Sequence, residues 1–522
     1  MLPIYIEGSP EFESTLSALR TRGTGDLANV TPAVTEIIDN GCGTGCRRPR
    51  GDPAAAVHHQ AMLPIYIEGS PEFESTLSAL RTRGTGDLAN VTPAVTEIID
   101  NVRRGGTSAV LGYIEKFERR TSKALVRHAG PEAEGGFGGA EALARLPQEV
   151  RASLETAAAR IARYHERQRD AGDLGPAEAA ASGPPLQAGF SYEDEGVLLG
   201  MRVRPLRRVG VYAPGGKARY PSSVLMSAIP ARVAGVRDIV LASPSADDVT
   251  LAAAHLSGVT TLLDSGGAQA IAALAYGLPE LAPVDKIVGP GNAYVACAKK
   301  LVFGDVSIDG ITGPSEILVL ADDAADPRLV AADLLSQAEH DEASYALLAT
   351  TSAKLAEAVA RELDAALPEL TRRAIVQASL STHAAALVVG SRARLAEVAD
   401  QLAVEHVGFH VADAEGLFSE IGTLGAALLG SLTPVAAGDY LAGPSHVLPT
   451  GGSARFGAPL GVYDFVTRAS LIRYSGAALR AQGPIIEKLA LAEGLQAHAR
   501  AVSLRLSSTA ADPAAKRGAS QS

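Results

Sequence analysis

The sequence predicts an α/β protein built on two doubly wound parallel sheets. From about residue 206 onward, short runs rich in Val, Ile and Leu alternate with helix-patterned segments. Those runs carry little polar alternation, as strands covered on both faces do. The polar clusters fall at the ends of the elements, where open α/β sheets place their ligands.

In chain order, Met1–Asn40 recurs without one change as Met62–Asn101. Architectural repeats diverge in sequence and need about three copies to bury a stacked core, so this duplication is not read as architecture. The expectation is that the working protein begins near Met62. The linker "GCGTGCRRPRGDPAAAVHHQA" has no periodicity. Its Cys42, Cys46, His58 and His59 are permissible zinc ligands, but one Cys pair with adjacent histidines is a weak signal, and the linker is expected to be disordered or spurious. Residues 87–200 read as largely helical. Within them "HERQR" (His165–Arg169) reads as a solvated helix face, because Arg169 stands where an H-E-x-x-H zinc motif needs its second histidine.

"RRVGVYAPGG" then reads as a strand entering a Gly-rich turn, and "SSVLMSAIPARVAG" as the helix after it. "DIVLASP", "VTTLLDSGG", "DKIVGPG" and "EILVLAD" are strands, alternating with the helices "DDVTLAAAHLSG", "AQAIAALAYG", "NAYVACAKKLVFG" and "PRLVAADLLSQAEH". "YALLATT" and "AALVVGS" continue as strands around one long helix. Repeated β-α units close by right-handed crossovers, and there is enough chain for two such sheets. The tail "SSTAADPAAKRGASQS" is small, polar and broken by proline, the composition of a disordered segment.

The totals narrow the class. The chain has 522 residues, 47% hydrophobic and 20% charged, with a net charge of −11. That charge argues against nucleic acid or anionic lipid as the main partner. No apolar run approaches the ~20 residues a membrane helix needs, and the N-terminus lacks the basic region of a secretory signal. Three cysteines (Cys42, Cys46, Cys297) rule out a disulfide framework and suit the cytoplasm.

The polar clusters carry the chemistry. Tyr212–Ser223, "YAPGGKARYPSS", is a strand-to-helix turn able to admit a phosphate near backbone N–H groups, although it is not G-x-G-x-x-G. "GPGNAYV" is a second such turn, with Asn292 at a helix N-cap, a role that by itself accounts for that residue. In "LLSQAEHDE", Gln337 and His340 are three residues apart, about 300° of helical rotation, and so share nearly one face. Glu405 and His406 are adjacent; on a regular strand they would point to opposite faces, so joint action needs an irregular backbone. Such pairs move protons near neutral pH. Asp439 and His446 lie in a Gly/Pro-rich loop, and Glu493 and His498 near the end of the chain. Taken singly, either histidine is more often structural than a ligand. Together Gln337, His340, Asp439 and His498 form a nitrogen–oxygen ligand set suited to Zn2+, and the absence of thiolates argues against a closed structural site. The two Gly-rich turns disfavour a zinc hydrolase.

"YAPGGKARYPSSVLM", "GPGNAYV", "TGPSE", "DLLSQAEHD", "EH", "GDYLAGPSHVLPTGG" and "EGLQAHARAV" occur in the order and at the spacing of the histidinol dehydrogenase family, which the chain resembles from about Met62 to Leu506. The resemblance implies oxidation of L-histidinol to L-histidine through a bound aldehyde, with NAD+ as oxidant, used twice, and one Zn2+ per subunit. It implies Gln337, His340, Asp439 and His498 as zinc ligands, and Glu405 and His406 as the proton-transfer pair. Substrate contacts are then expected from Ser315, His446 and Glu493, from His406 and from the zinc ligands. NAD+ contacts are expected from Tyr212, Gln269 and Asn292. It further implies two Rossmann-like sheets with small helical terminal elements, in a cytoplasmic, domain-swapped homodimer where His498 crosses to the partner's site. The expected units are an extension over 1–61, a helical arm over 62–86, and a catalytic unit from 87–211 and 315–460. A nucleotide unit over 212–314, dimerisation segments over 461–506 and a disordered tail over 507–522 complete them.

Overall fold

A computed structural model describes residues 62–84, 87–171, 189–215, 220–311 and 313–510. The first copy of the repeat, the linker with Cys42, Cys46, His58 and His59, and residues 511–522 lie outside the described residues.

The second copy of the repeat supplies strand β1 (Ile65–Ile67), then helix Pro71–Arg81, which opens on a Ser70 cap accepting from the Phe73 N–H. Helix Asp87–Tyr113 leads to β2 (Val126–His128), and helix Gln148–Ala171 to β3 (Gly189–Asp194), β4 (Val197–Pro205) and β5 (Arg208–Tyr212). The alternation then runs through β6 (Asp238–Ala242), β7 (Thr261–Leu263), β8 (Lys286–Val288), β9 (Ser307–Ile308), β10 (Glu316–Ala321), β11 (Tyr345–Thr350), β12 (Ala384–Val388), β13 (His406–His410) and β14 (Ala426–Leu429). Strand β15 (Val466–Tyr474) and helices Gly476–Ala492 and Gln496–Ala510 end the described chain.

The first large sheet has the order β1-β12-β11-β10-β13-β14 and is parallel throughout. The second has the order β2-β7-β6-β5-β8-β9, with only β2 antiparallel. In each, the chain starts at a central strand (β10, β5), steps outward, then crosses back to the other side at β13 or β8. That reversal is the topological switch of a doubly wound sheet. A third, antiparallel sheet runs β15-β4-β3.

Both large sheets are buried on both faces, which is why their strands read as unbroken apolar runs. On β6, Ile239 and Leu241 enter one core while Val240 and Ala242 enter the other. On β10, Ile317, Val319 and Ala321 face one way, and Leu318 and Leu320 the other. Each such side chain contributes about 1.5–3 kcal/mol when fully buried.

Five expectations change. Residues 87–171 pack on the second sheet rather than with 315–460. Val95, Ile98 and Val102 meet Ile271 and Leu274 in one core, and Ile161 meets Ile229 in the other. Residues 189–205 are strands, not helix. The long helix between β11 and β12 is two, Ala353–Ala366 and Arg373–His383. The last helix continues through the start of the expected tail to Ala510. His165 is not solvated but fully buried, with Nδ1 2.7 Å from the Gln168 Oε1. Among the described residues, no helix is long and apolar enough to cross a membrane.

Candidate active site

Apart from Glu493 and His498, the candidate residues lie toward the amino edge of the first sheet and the carboxyl edge of the second. Helix Arg392–Leu402 ends on Ala403, whose φ of 43° turns the backbone sharply before Glu405. Glu405 therefore precedes β13, and His406 is its first residue. That irregular entry lets two adjacent side chains share one region, with Glu405 Oε2 3.6 Å from His406 Nδ1. Gly425 passes so close that a Cβ there would stand 2.4 Å from the Glu405 carbonyl oxygen, which fixes glycine at that crossing.

Both side chains are buried, at 6% and 5% exposure. Glu405 Oε2 accepts the Glu316 N–H at 2.8 Å, and His406 Nδ1 lies 3.2 Å from the Glu316 carbonyl. With Nδ1–H donated to that carbonyl, Nε2 is left as the free ring nitrogen. It faces Asp439, 3.8 Å away. Burial opposes a charge on His406, but the Glu405 carboxylate, Asp439 and the Glu316 carbonyl outweigh it and push the ring up to about 9.

His446 joins this group. Burial pushes it down, against the pull of the Asp439 and Glu405 carboxylates. Its Nε2 stands 3.3 Å from the Ser223 hydroxyl, in the first turn of helix Pro221–Val233. Ser445 donates to the Met226 carbonyl on the same helix, so the loop carrying His446 is fastened to the second sheet's first crossover. Ser315 immediately precedes β10 and is half-buried.

Gln337 is fully buried near the end of helix Pro327–Ala338. His340 lies beyond the helix rather than on it, past the Glu339 cap, yet its Nδ1 is 3.3 Å from Gln337 Nε2. The pair stays together because the His340 N–H turns back to the Gln337 carbonyl. Glu339 is exposed. Helix Val435–Tyr440, which carries Asp439, packs on the helix of Gln337, with Val435 in the core of Leu334 and Ala338. Burial raises the Tyr440 hydroxyl, helped by Asp439 and Glu339. Among the described residues, no three His, Cys, Asp or Glu side chains stand close enough to hold a metal ion. Gln337 Oε1, however, is buried with no hydrogen-bond partner, and an orphaned buried acceptor fits a cation's ligand. Glu493 and His498 are exposed at the junction of the two C-terminal helices.

The nucleotide-type turns flank the second sheet's switch point. Gly289 follows β8 at φ 117°, and a Cβ there would stand 2.1 Å from the Tyr212 carbonyl oxygen at the end of β5. Lys299 bonds the Gly289 carbonyl at 3.0 Å, pairs with Asp309, and Asp309 accepts the Gly289 N–H at 2.7 Å. Asn292 is exposed and caps helix Ala293–Val302 through Oδ1. Tyr212 and Gln269 are buried: the Tyr212 hydroxyl accepts the Gly267 N–H at 3.1 Å, and burial pushes it up to about 12. Gln269 Nε2 donates to Glu118 at 3.4 Å.

Sequence reasoning passed over Glu316, although the signal was legible: one carboxylate heading the otherwise apolar strand "EILVLA" demands a buried partner. Open α/β sheets commonly bind ligands at strand carboxyl ends. The second sheet follows that rule, whereas Ser315, Glu405 and His406 sit at the amino edge of the first.

Two largely parallel α/β sheets and a buried Glu–His couple at the edge of one of them are features of an enzyme of the α/β class. The family model described as histidinol dehydrogenase matches residues 81–506. The chain is 45% identical over 443 residues to the histidinol dehydrogenase of Chromobacterium violaceum, covering 84% of this chain and 97% of that one. It is 44% identical over 438 residues to that of Geobacter sulfurreducens, covering 83% and 97%. A crystal structure of histidinol dehydrogenase from Elizabethkingia anophelis is similar at TM-score 0.76 and 30% identity, over 86% of this chain and 99% of that one. The chain belongs to the histidinol dehydrogenase family, and it is an oxidoreductase.

Proposed function

We propose that this enzyme oxidises L-histidinol to L-histidine, a biosynthetic step, through a bound aldehyde and with NAD+ as oxidant in both stages. The observation that carries this reading is the Glu405–His406 couple, buried together, tied to the backbone of one residue, Glu316, and facing Asp439. Gln337, His340 and Asp439, with His498 of the partner subunit, would hold Zn2+; when bound, it supplies an electrophilic anchor for the substrate's nitrogens. NAD+ supplies the hydride acceptor, and its site is assigned to Tyr212, Gln269 and Asn292 beside the second sheet's switch point.

The rest is work for side chains. In its neutral form, which the raised pKa of about 9 favours only at alkaline pH, His406 Nε2 takes the hydroxyl proton while Nδ1 stays bonded to the Glu316 carbonyl, which holds the ring's plane and tautomer. Glu405 keeps one oxygen on the Glu316 N–H, leaving the other to draw a proton from water adding to the aldehyde. Once its first proton has passed to solvent, His406 deprotonates the hydrated aldehyde for the second oxidation. Ser315, His446 and Glu493 orient the substrate, Glu493 by meeting its ammonium group. His446, kept neutral by burial, suits a hydrogen bond better than an ion pair.

The subunits are proposed to form a cytoplasmic homodimer with exchanged C-terminal segments. Ile472, Ile485, Leu489, Leu491 and Leu504 are all more than half exposed in the single chain, an apolar surface that calls for a partner. The test of activity is the stoichiometry: two NADH per histidinol consumed. One NADH, with aldehyde released, refutes the four-electron reading. His406→Asn is expected to slow both stages by about 100-fold or more. Glu405→Gln is expected to block mainly oxidation of supplied aldehyde; an unchanged aldehyde rate in that variant refutes the division of labour.

A further inference from the structure

Glu316 does not merely neighbour the Glu405–His406 couple; its backbone N–H and carbonyl hold one member each. Its side chain is held in turn. Arg83, just beyond helix Pro71–Arg81, donates from Nε and Nη2 to the two Glu316 oxygens, each at 2.7 Å. Both side chains are 1% exposed. Gly451 N–H adds a third bond to Glu316 Oε1 at 2.9 Å. Arg83 Nη2 also reaches the Leu402 carbonyl at 2.8 Å, at the end of the helix that turns through Ala403 into Glu405. Nη1 ties back to the Leu80 carbonyl at 2.8 Å. One guanidinium thus grips the entries of the two strands that meet at the couple, β10 through Glu316 and β13 through Leu402.

A fully buried ion pair is poor evidence of a stability device, because desolvating both charges offsets most of their attraction. Its value here is geometric: a planar fork admits one orientation of the Glu316 carboxylate. We propose that Arg83 is a positioning residue for proton transfer, acting through Glu316 on Glu405 and His406. The proposal rests on the reading of that couple given above.

The test is a double-mutant cycle in the full chain. The paired substitution Arg83→Met with Glu316→Gln removes the clamp without stranding a buried charge. It is expected to lower kcat for supplied aldehyde on the order of 10–100-fold, the usual effect of losing an outer-shell partner, with KM for histidinol and zinc content unchanged. In a Glu405→Gln background the same pair is expected to lower kcat by a clearly smaller factor, because only His406 is then left for the clamp to position. Arg83→Lys, which keeps the charge but loses the fork, is expected to give an intermediate kcat. If the paired variant fails to fold, the same cycle run with Arg83→Lys decides. An equal loss in both backgrounds assigns the clamp a structural role and overturns the proposal, as does an unchanged kcat. If Glu405→Gln alone leaves aldehyde oxidation intact, the reading of the couple falls and this proposal with it. An impaired Glu405→Gln beside an unaffected Arg83 variant sinks only the clamp.

Discussion

At the scale of single residues, Gln337 poses the sharpest physical problem. A glutamine with no exposed surface and an unpartnered Oε1 carries a burial penalty of about 1–3 kcal/mol. Methionine fills nearly the same volume without a polar atom. Gln337→Met is therefore expected to stabilise the metal-free protein by about 1 kcal/mol while abolishing the rise in Tm on adding zinc. Melting curves of chelator-treated protein, with and without zinc, check both halves. A variant that lost stability and kept the zinc-dependent rise would remove Gln337 from the ligand set. The contiguous pairs, Gln337 with His340 and Glu405 with His406, were visible in the sequence because their partners are neighbours. Arg83 was not, since its carboxylate partner is 233 positions away.

Elements show where local pattern suffices and where it misleads. Helix Ala293–Val302 begins where Asn292 promised it, because capping is a local hydrogen bond. Helix Gln148–Ala171 was also expected, but the face carrying His165 was misjudged: charged neighbours Glu166 and Arg167 mask a side chain that points into the core. His165 gives this helix a pH dependence. Burial holds its pKa below the ordinary value, against the hydrogen bond that Nδ1 donates to Gln168 Oε1, and its Nε2 has no partner. As pH falls below the ordinary histidine range, the unfolded chain takes up a proton that the folded chain refuses. Its contribution to stability is thus present at neutral pH and lost on acidification. His165→Leu is expected to reduce the drop in Tm between about pH 7 and about pH 5. An unchanged drop would mean that His165 does not titrate across that range.

For the whole molecule, the question is which subunit completes which site. Glu493 and His498 are exposed and, among the described residues, share no hydrogen bond or ion pair with the other candidate residues, while apolar side chains stand open on the same C-terminal segments. If His498 crosses between subunits, mixing His498→Ala with Gln337→Ala protein rebuilds one intact site in each mixed dimer. Random reassortment is expected to recover about a quarter of wild-type activity, since half the dimers are mixed and half their sites intact. No recovery after demonstrated subunit exchange would place His498 in its own chain's site.

By itself the sequence determined the alternation of strand and helix, the burial of both faces of each sheet, and the chemical types of the site. Period, apolar runs and side-chain identity are local properties. Only the tertiary structure decided that helix Asp87–Tyr113 covers the second sheet, that the first sheet presents Glu405 and His406 at its amino edge, and that Arg83 clamps Glu316. Those outcomes depend on which distant strands pair and which apolar stripe finds which core, and a linear pattern carries no record of either choice.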